Sequence, residues 1–351
     1  MDYHPDDIEN IIAHLKRMKS RMTQENHEAN HRFHSFMKDW DKISEDLWRL
    51  GYWDEYYSCA NVVLECAKQI NQNAVIAQVL NEMGWREMEK SDLRSAKQRF
   101  TQALKKYRET PDGIVGQCRT LRYLGTLYHR QRLFGSALNC YRKALKLSYE
   151  NQNLVKEIRQ IDSERAEIYN LLGNLYLKLN DFNRSKSELI NSLKGYVLLH
   201  QMFNQELGDF YLYFQAAPLL NLGRLHFHLG EFKLARKYYD ECISLCQQIR
   251  RQDMEAGASI RLAELEEVEG NKPEAFRLTE RAKKLTEKEA PTIHAHARQV
   301  SDTIQGKRKS FILVQLNHIP QLFVGLLDLL IFAPATAYRY VKNSLKRHRR
   351  F

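Results

Sequence analysis

LRYLGTLYHRQRLFGSALNCYRKAL, residues 121–145, is the stretch on which the fold turns. It aligns without a gap to LNEMGWREMEKSDLRSAKQRFTQAL, residues 80–104, at an offset of 41. Gly84 matches Gly125, Leu93 matches Phe134, Ala96 matches Ala137, Phe100 matches Tyr141 and Ala103 matches Ala144. The skeleton returns as YNLLGNLYLKLNDFNRSKSELINSL (169–193) and as LLNLGRLHFHLGEFKLARKYYDECI (219–243). Two weaker copies flank these, one centred on Gly51, Trp53 and Ala60, the other on Gly270, Ala275 and Ala282. A period of this length signals a stacked repeat.

Each copy has two halves. Within a half, apolar residues recur at steps of three and four, the helical period. A short break, as at Lys90-Ser91-Asp92 or Leu229-Gly230-Glu231, then resets the phase. Gly84, Gly125, Gly173 and Gly223 fall in mid-helix, where glycine costs roughly 1 kcal/mol against alanine. A cost repeated at one place implies that paired helices approach closely there. Ala96, Ala137 and Ala235 take the matching place on the second helix, and Phe100, Tyr141 and Tyr239 are expected to wedge against the next pair.

This pattern resembles the tetratricopeptide repeat, with Leu–Gly–Tyr in the first helix and Ala–Phe/Tyr–Ala in the second. The resemblance covers about 36–285. It departs at 169–193, where Ser185 and Ser192 replace alanine, and successive copies lie 40, 41, 48, 50 and 40 residues apart. That is longer than the family's usual repeat, so longer helices or extra turns are expected. Long-period versions are similar to bacterial signalling and regulatory proteins, including the sensor ends of signal-transduction NTPases. The resemblance implies an all-α, right-handed superhelical solenoid of about six antiparallel helix pairs. The expected organisation is an N-terminal helical segment over 1–35, a solenoid over 36–290, a basic connector over 291–310 and an apolar segment with a basic tail over 311–351.

It also implies a site. First helices line the concave face, and residues at helical steps from the glycine form one stripe. Gln78, Asn81 and Trp85 stand on it in the second copy, and Arg119, Arg122, Thr126 and His129 in the third. Glu167, Asn170 and Asn174 follow in the fourth, and Arg224 in the fifth. Peptide-binding members of the family use asparagine and basic residues in this way. Arginine suits carboxylate or phosphate, because its planar fork donates two parallel hydrogen bonds.

Composition agrees with helices. In 351 residues there are only 15 Gly and 7 Pro, and 43% are hydrophobic. The net charge of +11 is uneven. Residues 94–146 hold 13 Lys/Arg against Glu109 and Asp112, and 307–351 hold 9 against Asp328. Nucleic acid would want such clusters. However, Lys97, Lys105, Lys106, Arg142 and Lys143 fall on second helices, away from the groove, and no nucleic-acid motif is present, which argues against that partner. The six cysteines form no CxxC pair and read as reduced thiols packed in helices. The first residues lack a basic segment leading into an apolar run, so a cytoplasmic protein is expected.

At the N-terminal end, Asp6-Asp7 before IENIIAHLK looks like a helix cap, and His27, His31 and His34 share a helical face read as solvated. The other end reads FILVQLNHIPQLFVGLLDLLIFAPATAYRYV, residues 311–341, with only Asp328 and Arg339 charged and basic residues on both sides. It has the length to span a bilayer, interrupted by Pro320, Asp328 and Pro334. Three readings stay open: a segment on or dipping into an anionic membrane at its cytoplasmic face, a spanning tail anchor, or an apolar cap on the solenoid. In the first, Leu322, Phe323, Leu326, Leu327, Leu330, Ile331 and Phe332 make the contact.

No phosphate-binding loop, dinucleotide fingerprint, HExxH or GxSxG occurs, and no metal set or cofactor site is assembled. The reading is a non-enzymatic adaptor that holds a protein or peptide partner, with a peptide-sensing regulator as the alternative.

Overall fold

In the computed structural model, residues 5–21, 26–49, 52–151, 158–287 and 291–305 are described. They form fourteen α-helices and no strand. The chain divides into two compact units, Met1–Tyr211 and Leu212–Phe351.

The first unit holds α1 (Pro5–Arg21), α2 (His27–Arg49), α3 (Trp53–Gln69), α4 (Asn73–Glu89) and α5 (Leu93–Arg108). It continues with α6 (Ile114–Arg130), α7 (Phe134–Glu150), α8 (Ile158–Lys178) and α9 (Phe182–Leu207). A short 3₁₀ turn, Gly208–Tyr211, ends it. The helices pack as consecutive pairs: α4 on α5, α6 on α7, α8 on α9. First helices also touch along the stack, α4 with α6 and α6 with α8. The second unit repeats the scheme with α10 (Leu212–His228) on α11 (Phe232–Gln248) and α12 (Gln252–Val268) on α13 (Lys272–Thr286). There α14 (Pro291–Ile304) lies against α13 and α12. This is an all-α repeat solenoid, as the sequence predicts.

The glycines mark the expected close approach. A methyl group on Gly84 would lie 2.8 Å from the Phe100 ring, and on Gly125 or Gly223 only 2.4 Å from Tyr141 or Tyr239. On Gly173 it would lie 2.5 Å from Leu189. The large side chain therefore sits on the glycine of its own pair, and Tyr141 also shares a buried cluster with Ile161, Ile168 and Leu172 of the next pair, as expected. Phe100 does both, since its ring also lies 5.4 Å from that of Tyr123 in α6. Ala96, Ala137 and Ala235 are fully buried beside these contacts.

The breaks share one geometry. A residue at positive φ follows the helix: Asn71, Ser91, Arg132, Asn180, Gly230, Arg250 or Gly270. The next residue's N–H then reaches back five residues to a carbonyl, as from Asp92 to Glu87 at 2.9 Å and from Glu231 to His226 at 2.9 Å. This closes the helix end and satisfies carbonyls that the last turn leaves bare. Asp92, Asp181 and Asn26 also cap with a side chain, accepting from Ser95 N, Arg184 N and Ala29 N.

The wide spacing around the fourth copy comes from helix length. There α8 has 21 residues and α9 has 26, against 16 or 17 in α4 to α7. At the N-terminal end, α1 begins at Pro5, so Asp6 and Asp7 lie in its first turn instead of before it. His27, His31 and His34 are exposed on α2. All six cysteines are free, and all but Cys140 are buried.

Candidate functional site

The first helices of the first unit meet along a polar face, tied from helix to helix by hydrogen bonds. Between α2 and α4, Trp40 Nε1 donates to Glu82 Oε2 at 2.7 Å, and Arg86 pairs with Glu45. Between α4 and α6, the buried Asn81 donates through Nδ2 to Thr120 Oγ1 at 2.8 Å. Between α6 and α8, Arg119 Nε and Arg122 Nε converge on the two oxygens of Glu164, at 2.6 and 2.8 Å. A pocket of about 260 Å³ opens along this seam, lined among others by Gln78, Glu82, Arg86, Arg119 and Tyr123.

Glu164 is the keystone. Its side chain is only 7% exposed, against 14% for Arg122 and 39% for Arg119. Burial opposes its charge, yet the guanidiniums of Arg122 and Arg119 outweigh that and hold the carboxyl below the usual range. Each arginine spends Nε on the clamp. Neither donates to another acceptor among the described residues, and of the two only Arg119 lines the pocket. Along the seam Arg86, Arg119 and Arg122 face Glu45, Glu82 and Glu164, so cations and carboxylates alternate there. Tyr123 floors it: its ring lies 4.7 Å from the Arg122 guanidinium carbon and 5.0 Å from the Trp85 ring.

The remaining stripe residues are placed as follows. Trp85 Nε1 donates to Glu89 at 2.9 Å. Thr126 donates to the Arg122 carbonyl at 3.1 Å. His129 stands at the other end of α6, edge-on to Phe134 at 5.7 Å, with Nε2 buried and unpartnered among the described residues. Burial, then Lys178, pushes its pKa down to about 4. On α8, Asn170 is buried and Asn174 half-buried, while Glu167 accepts from Tyr196 at 2.8 Å. Arg224 lies in the second unit, donating to Asn221 at 3.1 Å. Of the stripe, the pocket is lined by Gln78, Asn81 and Arg119, with Trp85 and Arg122 joined to it through Tyr123, while His129, Asn170 and Asn174 are not among its lining residues.

Sequence reasoning missed Glu164, Glu82, Arg86 and Tyr123. The available signal for Glu164 was its position three residues before Glu167, on the same face, opposite a segment rich in cations. The apolar residues Leu322 to Phe332 lie outside the described residues. No described helix is long and apolar enough to cross a membrane. Among the described residues no group of three or more His, Cys, Asp or Glu could hold a metal.

A family model, the tetratricopeptide repeat, matches residues 166–194 and 216–249. Those are the fourth and fifth copies, the fourth being the one whose serines depart from the motif. A search of curated sequences finds no match. Among solved structures, the fold is similar to a Rap protein complexed with Competence and Sporulation Factor, at 14% identity and TM-score 0.56, over 98% of this chain and 92% of that one. It is similar to the apo form of RapI, at 12% identity and TM-score 0.52, over 76% and 97%. A STAND protein with a tetratricopeptide-repeat sensor from Pyrococcus horikoshii matches at 13% identity and TM-score 0.51, over 99% of this chain and 53% of that one. With the family model on two copies and the same glycine contact in four pairs, the chain carries tetratricopeptide repeats and has their fold.

Proposed function

We propose that the protein is a non-enzymatic adaptor that holds an acidic peptide or protein segment on the first-helix face of its first unit. The observation that supports this most is the Arg119–Arg122 pair. Both side chains are pinned at Nε by one buried carboxylate, and Arg119 lines the open pocket with Arg122 behind it. Pinning lowers the ordering cost that a flexible arginine would meet on binding. A carboxylate is met by the Arg119 fork, and Tyr123 offers a flat surface to the neighbouring side chain.

The test is a scan of acidic peptides by fluorescence anisotropy, against the intact chain and the Arg119→Gln, Arg122→Gln double variant. Peptides that bind the intact chain should lose about tenfold or more in the variant, from charge-assisted bonds on the order of 1.5–3 kcal/mol each. Equal binding by both would remove the groove reading.

A second reading is a sensor whose superhelix tightens round a peptide. It draws on the likeness to the Rap protein solved with a bound factor. Small-angle scattering separates the two, because a sensor must compact when its ligand binds and an adaptor need not. The apolar 311–341 segment adds a membrane role, placing the captured partner at an anionic surface. Flotation of the full chain with anionic vesicles tests it.

A further inference from the structure

The second helices of the first unit carry a surface that the groove does not use. On α5, Arg94, Lys97, Lys105 and Arg108 are exposed at helical steps along one stripe, about 20 Å long at 1.5 Å per residue. Arg94 lies near Asp92 and Lys105 near Glu109, while Lys97 stands over the Tyr128 ring at 5.3 Å. On α7, Arg142 and Lys143 continue the surface, Arg142 donating to the neutral hydroxyl of Tyr176 at 2.8 Å.

The repeat adds order to this charge. Lys105, Lys146 and Lys194 occupy equivalent positions, each two residues after the small residue Ala103, Ala144 or Ser192. All three are exposed, one on each of three successive second helices, Lys146 also pairing with the exposed Glu150 at 3.6 Å. On α9 the stripe beyond Lys194 turns apolar at steps of four. Leu198 and Met202 follow, 56% and 69% exposed, and Met202 is the most exposed of the large hydrophobic side chains described.

The two chemistries together narrow the partner. A nucleic-acid duplex uses cations and gains nothing from exposed aliphatic chains, while a single strand wants aromatic rings to stack on. A protein interface wants its apolar anchor at the centre with polar residues round it. Here the aliphatic chains stand at one end, on α9 beyond Lys194. An anionic leaflet accommodates both, with headgroups meeting lysine and aliphatic chains entering the acyl boundary. The sequence beyond residue 305 points the same way, since its apolar stretch 311–341 has Lys or Arg on both flanks. A single apolar anchor binds a bilayer weakly, and a polybasic patch beside it makes the attachment stable.

We propose that the outer face of α5, α7 and α9 is a second membrane contact, with Lys105, Lys146 and Lys194 on anionic headgroups and Leu198 and Met202 inserted beneath them. This rests on the membrane half of the reading above and leaves the first-helix face free for its partner.

The test uses the full chain in vesicle flotation, with phosphatidylcholine alone and with phosphatidylserine added, at low and high salt. Two variants are compared with the intact protein: Lys105→Glu with Lys146→Glu and Lys194→Glu, and Leu198→Ser with Met202→Ser. All five side chains are exposed, and unchanged thermal midpoints show that the fold is kept. Each lysine near an anionic leaflet is worth about fivefold, so the triple variant should partition at least about a hundredfold less onto the phosphatidylserine vesicles. The double variant should lose less, and its loss should persist at high salt. If the intact chain floats and the triple variant floats equally, this contact is wrong and the tail reading stands. If the intact chain does not float at all, both fall. Retention on duplex DNA that the triple variant loses, without a matching loss on vesicles, would assign the face to nucleic acid and overturn the proposal.

Discussion

The third and fourth helix pairs make the same close approach with different side chains. In α6/α7 the ring of Tyr141 lies on Gly125, its hydroxyl 3.3 Å from Thr126 Oγ1, with Ala137 and Ala144 buried on the same helix. In α8/α9 Leu189 lies on Gly173, and Ser185 and Ser192 replace the alanines. Ser185 is satisfied by the Gly173 carbonyl at 2.8 Å, whereas Ser192 Oγ has no partner among the described residues. The repeat therefore specifies volume first. A hydroxyl is tolerated where a carbonyl receives it and costs stability where none does.

The sharpest way to break the comparison is at the link between the two pairs. Glu164→Ala strands Arg122, which is too buried to rehydrate, and should cost about 3 kcal/mol in urea unfolding. Pairing it with Arg122→Met should recover most of the loss, because the stranded charge is gone. No loss in the single variant would mean that the clamp contributes only geometry.

The opposite end of α6 supplies the next effect. His129 has a folded pKa of about 4 against an ordinary 6.5, so it is neutral in the folded protein and takes up a proton more readily when unfolded. Its contribution is complete above pH ~6.5 and declines as pH falls towards 4, by about 2 kcal/mol after allowing for partial exposure. Thermal midpoints followed over that range should fall in the intact protein and stay flatter in His129→Leu. Glu164 acts in a lower window. Its carboxyl is held down, so its share is present above the ordinary carboxylate range and lost only as pH falls below it.

The glycines separate the pairs directly. Gly125→Ala forces a methyl into a tethered ring and should cost about 1–2 kcal/mol, while Gly173→Ala meets an aliphatic chain with other rotamers and should cost about half as much. Equal midpoints in urea would refute the distinction. The smallest effect has opposite signs: Ser192→Ala should stabilise by about 1 kcal/mol and Ser185→Ala should destabilise by about 0.5–1 kcal/mol. Calorimetry on the two variants checks both.

The repeat was readable because its signals are local. A glycine, an alanine and an aromatic at fixed steps report a contact within one pair, so Gly84, Gly125, Gly173 and Gly223 were each recognisable from neighbouring letters. The polar face was half legible. Asn81, Arg119 and Arg122 stand where helical phase puts them, but their bonds cross to Thr120 and Glu164, 39 to 45 residues away. Such a partner is chosen by how adjacent pairs stack, which periodicity within a pair does not encode.

One consequence follows from how narrowly the helices choose their neighbours. Among the described residues of the first unit, each helix packs chiefly on those one or two places along the chain. Each pair is then complete soon after its second helix leaves the ribosome, and the next one grows on a finished template. Assembly of this protein can keep pace with its synthesis, and the unsheltered apolar surface at any moment is a single helix pair wide.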